Sequence, residues 1–311
     1  MLFSVLLVVL VLMVVIVTLL EVGLRLTVGL GNPLIYIPDE EIGYLLAPNQ
    51  KVRRMGNRIE INQYSMRSDS FSEVKPASVL RVLLLGDSIA NGGWWTDRDE
   101  TISALMREGL KSTFETVEVL NASANSWGPR NELAYLQKFG CFDAQAIVLL
   151  INTDDLFAVA PTSIPVGRDR SYPDRKPPLA LAEVLSRFVA NEIPEMEKVN
   201  AEGGDRVGFN LKAIEQIKAI STDAGAGLIL AMTPLLREVR DPSPRDYEKK
   251  ARLRLQEFAE TENINYIDFL SLFQATEEPE SLYRDHIHLN LKGNKLVSEK
   301  LVISVAKHST N

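Results

Sequence analysis

Two short motifs, about 200 residues apart in the chain, contain the residue types of a serine nucleophile and its base. Gly86-Asp87-Ser88 follows an apolar run, and Asp285-His286-Ile287-His288 lies near the C-terminus. A serine hydroxyl attacks a carbonyl only when a base accepts its proton and nearby donors stabilise the oxyanion. Residues three apart share one face of a helical turn, so we expect Asp285 to orient His288 as the base for Ser88.

Each motif also has a simpler explanation. Asp87-Ser88 could be only a helix cap, and the histidine motif could be a surface loop. A metal site on His286 and His288 is a further alternative. It lacks a nearby partner, because the remaining histidine is His308 and the single cysteine is Cys141. We therefore expect a catalytic role for His288, with His286 pointing elsewhere, and neither a metal nor a cofactor.

Apolar runs that alternate with amphipathic segments must position these motifs. The runs predicted as strands are residues 80–85, 116–120, 146–151, 228–232 and 266–269. The segments predicted as helices are residues 100–110, 131–139, 209–224, 247–262 and 291–306. Continuously apolar strands alternating with helices are typical of a parallel sheet covered on both faces. The sequence therefore predicts an α/β fold with three α/β/α layers, and ligands bind such sheets beyond the carboxyl ends of the strands.

In combination, the motifs resemble the SGNH/GDSL hydrolase superfamily over about residues 79–306. The resemblance consists of Gly86-Asp87-Ser88 after the first strand, a glycine after the second, a polar motif after the third and D-x-x-H before the last helix. It implies a five-stranded, flavodoxin-like sheet, with Ser88 as nucleophile, His288 as base and Asp285 as its orienting partner. It also implies an oxyanion hole formed by the N–H groups of Ser88 and Gly128 and an asparagine amide.

The third motif departs from the family pattern G-x-N-D-L, because it is Asn152-Thr153-Asp154-Asp155-Leu156. An ionised Asp154 would repel an oxyanion, and one lost donor costs about 2.7–4 kcal/mol of transition-state stabilisation. Asp154 could remain protonated through burial, or the domain could be slow or inactive. We expect instead that Asn152 supplies the amide, because residues two apart share one side of an extended chain.

The N-terminus is long and apolar enough to be a membrane anchor. Residues 2–20 are apolar except for Ser4 and Thr18, which is about the length of a transmembrane helix. No basic residue precedes the run and no small-residue cleavage motif follows it, so an anchor over residues 1–22 is favoured over a long signal peptide. Arg25 and later basic residues would place the domain in the cytoplasm, but large domains translocate largely regardless of charge.

The rest of the chain is divided into a connecting lobe over residues 23–78 and a hydrolase-like domain over residues 79–308. Residues 157–207 interrupt the alternating pattern and are expected to form a lid or a partner surface. Trp94-Trp95 could wall the sugar or acyl site or could belong to the core. The net charge of −7 argues against nucleic acid as a partner, and the single cysteine excludes an intramolecular disulfide.

Asn62 and residues 66–71 also resemble membrane-anchored family members associated with bacterial polysaccharide assembly. That resemblance implies an extracytoplasmic serine esterase that removes O-acetyl groups from a polysaccharide or other envelope substrate through an acyl-serine intermediate. The alternatives are an O-acyltransferase on the same substrates, a non-catalytic glycan-binding or assembly module, and a lipase acting on membrane lipid. The expected partners are an acylated carbohydrate or lipid, the membrane through residues 2–20, and polysaccharide-assembly proteins.

Overall fold

The computed structural model describes residues 2–189, 192–240 and 244–309. Its first element, α1 (Leu2–Gly23), has no buried residue and continues into one π-helical segment (Leu24–Val28). Within the described ranges, Leu2–Val28 is the single helix that could cross a membrane by length and composition. An N-terminal signal sequence would have the same properties.

Two β-hairpins form the segment between α1 and the main sheet. Their strands are β1 (Tyr36–Asp39) with β2 (Gly43–Leu46), and β3 (Gln50–Arg54) with β4 (Asn57–Ile61). Ile42 and Ile59 are fully buried and belong to the same hydrophobic cluster as Leu83 and Leu85 of the main domain. The hairpins therefore share a core with the main domain.

The main domain contains the predicted five-stranded parallel sheet. Its strands are β5 (Val79–Gly86), β6 (Thr116–Ser123), β7 (Ala146–Asn152), β8 (Gly227–Thr233) and β9 (Asn265–Asp268). They are hydrogen-bonded in the order β6-β5-β7-β8-β9, and every pair is parallel. This is the order of flavodoxin-like sheets, so the predicted fold class is confirmed.

Helices cover both faces of the sheet. The helices that follow α1 in the described ranges are α2 (Ser88–Asn91), α3 (Ile102–Leu110), α4 (Pro129–Phe139), α5 (Ala180–Ser186), α6 (Pro194–Asn200), α7 (Arg206–Asp223), α8 (Asp246–Thr261), α9 (Leu270–Gln274) and α10 (Leu291–Ser309). Short 3₁₀ segments are Arg98–Glu100, Thr153–Phe157, Leu236–Glu238 and Pro279–Leu282. Leu85 packs in one cluster with residues of α4 and α7, whereas Leu84 packs in a second cluster with residues of α3 and α10. Alternate residues of β5 therefore supply opposite faces of the sheet.

The carboxyl ends of the central strands meet at one edge. Gly86 at the end of β5 pairs with Ser123 of β6 and Leu150 of β7. A Cβ atom on Gly86 would lie 2.6 Å from the carbonyl oxygen of Leu150, so this position requires glycine. The residues that follow these three strands are consequently held close together.

Candidate active site

Ser88 is the first residue of α2, directly after β5. Asp87 caps this helix, since its Oδ1 accepts a hydrogen bond of 2.8 Å from the N–H of Ile89. The Oγ atom of Ser88 lies 2.9 Å from Nε2 of His288 and 3.3 Å from Oδ2 of Asp87. The backbone N–H of Ser88 belongs to the first turn of the helix, where N–H groups have no intrahelical acceptor.

The D-x-x-H segment brings Asp285 and His288 together, but by a different local structure from the predicted one. Residues 284–287 form a bend rather than a helical turn. Oδ1 of Asp285 accepts hydrogen bonds from the N–H groups of Ile287 (3.1 Å) and His288 (2.9 Å), which closes the turn. The ring Nδ1 of His288 then lies 2.8 Å from Oδ2 and 3.0 Å from Oδ1 of Asp285.

Electrostatics favour an ionised Asp285. Partial burial raises the pKa of this carboxyl, but the backbone N–H and the ring of His288 outweigh that effect, so the pKa is lowered overall. An ionised Asp285 accepts the Nδ1 proton of His288 and leaves Nε2 free to accept the proton of Ser88. The side chain of His286 is 85% exposed, and its Nδ1 is 3.9 Å from Asp285.

The two neighbouring tryptophans have different environments. The ring of Trp95 packs on the ring of His288 with a centroid distance of 4.3 Å, whereas Trp94 is 39% exposed. The guanidinium of Arg284 lies over both indole rings, at 5.0 Å from Trp94 and 4.9 Å from Trp95. Trp95 therefore supports the histidine, and Trp94 remains available to a bound molecule.

Arg67 fixes the loop that carries these tryptophans, a role that the sequence did not reveal. Its guanidinium is buried and donates to the backbone carbonyls of Asn91, Gly93 and Thr96. Burial lowers the pKa of Arg67 to about 10. The three carbonyl oxygens replace water molecules that the buried guanidinium loses. The loop after α2 is therefore held in place by its hydrogen bonds to Arg67.

The structure does not place Gly128 where the sequence predicted an oxyanion donor. Gly128 precedes α4, does not line the cleft that contains Ser88, and donates its N–H to Oδ1 of Asn131 (3.1 Å). Ser126 lines that cleft instead and has a φ of 58°, in the left-handed region. Its N–H has no hydrogen-bond partner in the described ranges, and its Oγ accepts a bond of 2.9 Å from the hydroxyl of Tyr172. No motif in the sequence indicated this backbone conformation.

Asn152 does not direct its amide into the cleft, contrary to prediction. Nδ2 donates to Oδ2 of Asp87 and to Oδ2 of Asp155, both at 2.9 Å. Oδ1 accepts a bond of 2.7 Å from the N–H of Asp154. The prediction assumed that the extended chain continues, but β7 ends at Asn152 and a 3₁₀ helix begins there. Asn152 caps that helix, so residues 152 and 154 do not share a side.

Asp154 also lies outside the residues that line the cleft. Its side chain is 57% exposed, and Oδ1 is 3.8 Å from Nη2 of Arg237. Partial burial raises the pKa of Asp154, and Arg237 opposes this shift. The position at which the sequence resemblance implied an amide is thus occupied by a carboxyl group that faces solvent.

Three buried carboxyl groups lie behind the serine turn. Burial raises the pKa of Asp87, Asp155 and Glu132, and the charge of Asp87 adds to the shifts of the other two. Both carboxyl oxygens of Glu132 lack a hydrogen-bond partner in the part of the chain that the structure describes. Burial and neighbouring like charges both disfavour the ionised forms of these three carboxyl groups.

Ser88 and His288 open into a cleft of about 1290 Å³. Residues 167–178 of the insertion and residues of α5 form much of its wall. The cationic lining residues are Arg54, Arg168, Arg170, Arg175, Lys176 and Arg187. The acidic ones are Asp169, Asp174 and Glu183, so the lining is net positive although the chain is net negative. In the described ranges, no three His, Cys, Asp or Glu residues are grouped so that they could hold a metal.

Comparisons with known proteins identify the family. Residues 84–296 match the model of the GDSL-like lipase/acylhydrolase family. No curated protein matches the chain. An acetyl xylan esterase structure has a TM-score of 0.51 at 18% identity, covering 72% of this chain and 99% of that one.

Two further structures have lower scores. A hydrolase from the metagenome of Lake Arreo, Spain, has a TM-score of 0.47 at 16% identity, covering 75% of this chain and 97% of that one. The lipase/acylhydrolase from Enterococcus faecalis has a TM-score of 0.46 at 16% identity, covering 73% and 95%. The acetyl xylan esterase structure shows the shared fold, and the match to the family model over residues 84–296 extends over most of the chain. The chain therefore belongs to the GDSL-like lipase/acylhydrolase family and is a serine hydrolase of the esterase class.

Proposed function

We propose that Ser88 is the nucleophile, His288 the general base and Asp285 the residue that orients the base. The observation that carries this proposal is the continuous hydrogen-bonded chain from Ser88 Oγ through both ring nitrogens of His288 to Asp285. All its distances are between 2.8 and 3.0 Å, within the range required for proton transfer. The chain ends in an open cleft, where an ester can reach the serine.

The reaction follows from this geometry. As Ser88 Oγ attacks the ester carbonyl, its proton moves to Nε2 of His288, and Asp285 stabilises the imidazolium. The tetrahedral intermediate collapses, the alcohol leaves with that proton, and an acyl-serine remains. A water then gives its proton to Nε2 and attacks the acyl group, which releases the acid and restores Ser88.

We propose that the oxyanion hole consists of the backbone N–H groups of Ser88 and Ser126. Both residues line the cleft, and neither N–H is donated to another group within the described residues. Two backbone N–H groups are sufficient for this function in the serine protease triad. An adduct formed with a fluorophosphonate tests the assignment, because its phosphoryl oxygen should lie about 2.7–3.1 Å from both nitrogens in a crystal structure.

We propose an acetylated polysaccharide or a related envelope ester as substrate. The cleft exceeds the roughly 300–1,000 Å³ of small-molecule pockets, and its lining includes charged groups and the exposed ring of Trp94. These features suit a polar polymer more than a single fatty acyl chain. The acetyl xylan esterase of similar fold acts, by its name, on such a substrate. The net positive lining favours a polymer with acidic groups.

The membrane placement is part of the same proposal. Residues 2–20 form a fully exposed apolar helix of the length that spans a bilayer core. We propose that it is retained as an anchor, with residues 23–78 as a connecting lobe and residues 79–308 as an extracytoplasmic hydrolase domain. A reporter fused after the last residue tests the orientation, since an enzyme active only in the cytoplasm would contradict it.

The central experiment compares the full-length wild type with Ser88→Ala. We expect a fluorophosphonate probe to label only the wild type, and acetate to be released by the wild type from p-nitrophenyl acetate and from acetylated polysaccharides. Supplying a deacetylated glycan acceptor separates a hydrolase from an acyltransferase, because a transferase would form acetylated acceptor. Absence of labelling and equal, slow turnover by both proteins would contradict the proposal.

One observation favours a second candidate, a non-catalytic glycan-binding or assembly module. The amide expected in the third motif is absent from the cleft, because Asn152 is bound to two carboxyls and Asp154 faces solvent. Under this alternative the wild type and Ser88→Ala would bind the same polysaccharide equally, and neither would react with the probe.

A further inference from the structure

Residues 179–189 of the insertion carry an apolar surface that no other described residue covers. Leu185 is 65% exposed and Phe188 is 83% exposed, and two neighbours are exposed with them, Leu179 and Val189. Residues 181, 184 and 185 have the spacing of one apolar face of α5, and the exposed Phe188 and Val189 follow in the turn after this helix. Glu183 points to the other side, where it binds Arg54 and the N–H of Gly31. The apolar face is therefore turned away from the body of the domain.

The same segment is attached to the end of α1. The carboxylate of Glu21 accepts hydrogen bonds from the N–H groups of Ala180 (2.8 Å) and Leu181 (3.0 Å). Arg25 bonds Glu21 at 2.6 Å and donates to the carbonyl of Pro178 at 3.1 Å. Two side chains at the end of the apolar helix thus fix the beginning of α5.

This attachment determines where the apolar face lies relative to a bilayer. Residues 2–20 have about the length needed to fill the hydrocarbon core as a helix, so Glu21 is at the boundary with the headgroups. The start of α5 is bonded to Glu21 and must lie at the same depth. Leu26, in the π-helical segment beside it, is 80% exposed and extends the apolar surface.

The charges around the segment suit the same location. Arg175 and Lys176 precede it, Arg187 lies within it, and Arg170 donates to the carbonyl of Arg187 at 2.8 Å. Amphipathic helices with an apolar face and flanking cations lie in the plane of the interface and are attracted to anionic headgroups.

We propose that residues 179–189 form a second membrane contact, with the apolar face in the interface of a phospholipid bilayer that contains anionic lipid. This inference rests on the anchor proposed for residues 2–20. Ala182, Ser186 and Val189 also line the cleft, so its wall is the segment that contacts the membrane. The serine is therefore presented to substrate at the bilayer surface, and the insertion is held there by Glu21.

The depth of labelled residues in vesicles tests the proposal. Full-length Cys141→Ala protein with the further change Phe188→Cys is labelled with an environment-sensitive fluorophore and reconstituted into phosphatidylethanolamine–phosphatidylglycerol vesicles. Val11→Cys in α1 is the control for the anchor. Ile303→Cys, on the exposed face of α10, is the matched control for an apolar side chain that should remain in water. Quenching by doxyl-labelled lipid is compared with quenching by aqueous iodide, and an unchanged urea midpoint confirms that each variant is folded.

We expect the lipid quencher to remove most of the fluorescence at positions 11 and 188 and little at position 303, with iodide giving the reverse order. An iodide-accessible label at position 188 beside a lipid-quenched label at position 11 would overturn the membrane contact while leaving the anchor intact. Loss of lipid quenching at both positions would overturn the anchor as well. Equal lipid quenching at positions 188 and 303 would indicate general adsorption and would also overturn the proposal.

Discussion

Replacing Asp285 by Asn tests the proposed triad most directly. Oδ1 of Asp285 already accepts two backbone N–H groups, from Ile287 and His288. In the variant, the amide oxygen must keep this place because the amide nitrogen cannot accept those bonds. The NH₂ group then takes the position of Oδ2, 2.8 Å from Nδ1 of His288. A donor at this place selects the tautomer with the proton on Nε2, which cannot accept the proton of Ser88.

The expected effect is large. The equivalent change in the serine protease triad lowers kcat about 10⁴-fold, and at about 1.36 kcal/mol per decade this is about 5.4 kcal/mol of transition-state stabilisation. Asp285→Ala should lose less, because a water can replace the carboxylate and accept the Nδ1 proton. We expect Asn to be the more damaging substitution, although it is closer to Asp in shape.

The assay is turnover of p-nitrophenyl acetate by the full-length protein, with the urea midpoint as the measure of folding. His286→Ala is the matched control in the same bend, since its side chain is 85% exposed and should be dispensable. If Asp285→Asn retains more than about a tenth of wild-type turnover, the loss of transition-state stabilisation is below about 1.4 kcal/mol. That result would refute the role assigned to Asp285 as the residue that orients His288. A higher activity for Asn than for Ala would refute the tautomer argument.

Three further substitutions test the polar groups behind the cleft. Glu132→Gln should flatten the pH dependence of stability. The fold raises the pKa of Glu132. The shift therefore adds its full amount to the free energy of unfolding below about pH 4.5, and this amount declines as the pH rises, by at most about 1.4 kcal/mol per pH unit. Asn152→Ala should lower the free energy of unfolding by about 1–3 kcal/mol, because Asp87 and Asp155 lose their shared donor. Asp154→Asn should change turnover less than about threefold, since its pair with Arg237 is exposed and weak.

Urea unfolding at about pH 5 and about pH 8 measures the first two effects. Equal pH slopes for the wild type and Glu132→Gln would show that Glu132 ionises normally. An unchanged midpoint for Asn152→Ala would show that the two carboxyls do not need the amide. A tenfold rise in turnover for Asp154→Asn would show that position 154 belongs to the oxyanion hole after all.

The strands and the two main motifs were predictable because each depends on local or one-dimensional information. Continuous apolar runs such as residues 82–85 have few alternatives once glycine and polar residues follow them. The pairing of Asp285 with His288 was predicted from their spacing, although the turn is closed by the aspartate oxygen rather than by a helix. A short spacing allows both conformations, and only the backbone decides between them.

Apart from Ser88, the proposed oxyanion donors were not predictable, for a physical reason. The choice between Asn152 and Asp154 depends on whether the strand continues, and the strand ends because Asn152 caps the following turn. Ser126 carries no distinctive side-chain signal, since its proposed role belongs to its backbone N–H and to a left-handed φ. Arg67 holds the tryptophan loop through hydrogen bonds to its backbone carbonyls, and these bonds join two separate segments of the sequence.

The departure in the third motif has a consequence for the proton of Ser88. Two acceptors lie within reach of that hydroxyl, Nε2 of His288 at 2.9 Å and Oδ2 of Asp87 at 3.3 Å. A glycine at position 152 would leave Oδ2 without the donor that the Asn152 amide supplies at 2.9 Å. The Asn152 amide competes with the Ser88 hydroxyl for the lone pairs of Oδ2. Asn152 therefore favours the shorter bond to His288, which keeps the serine in the arrangement that nucleophilic attack requires.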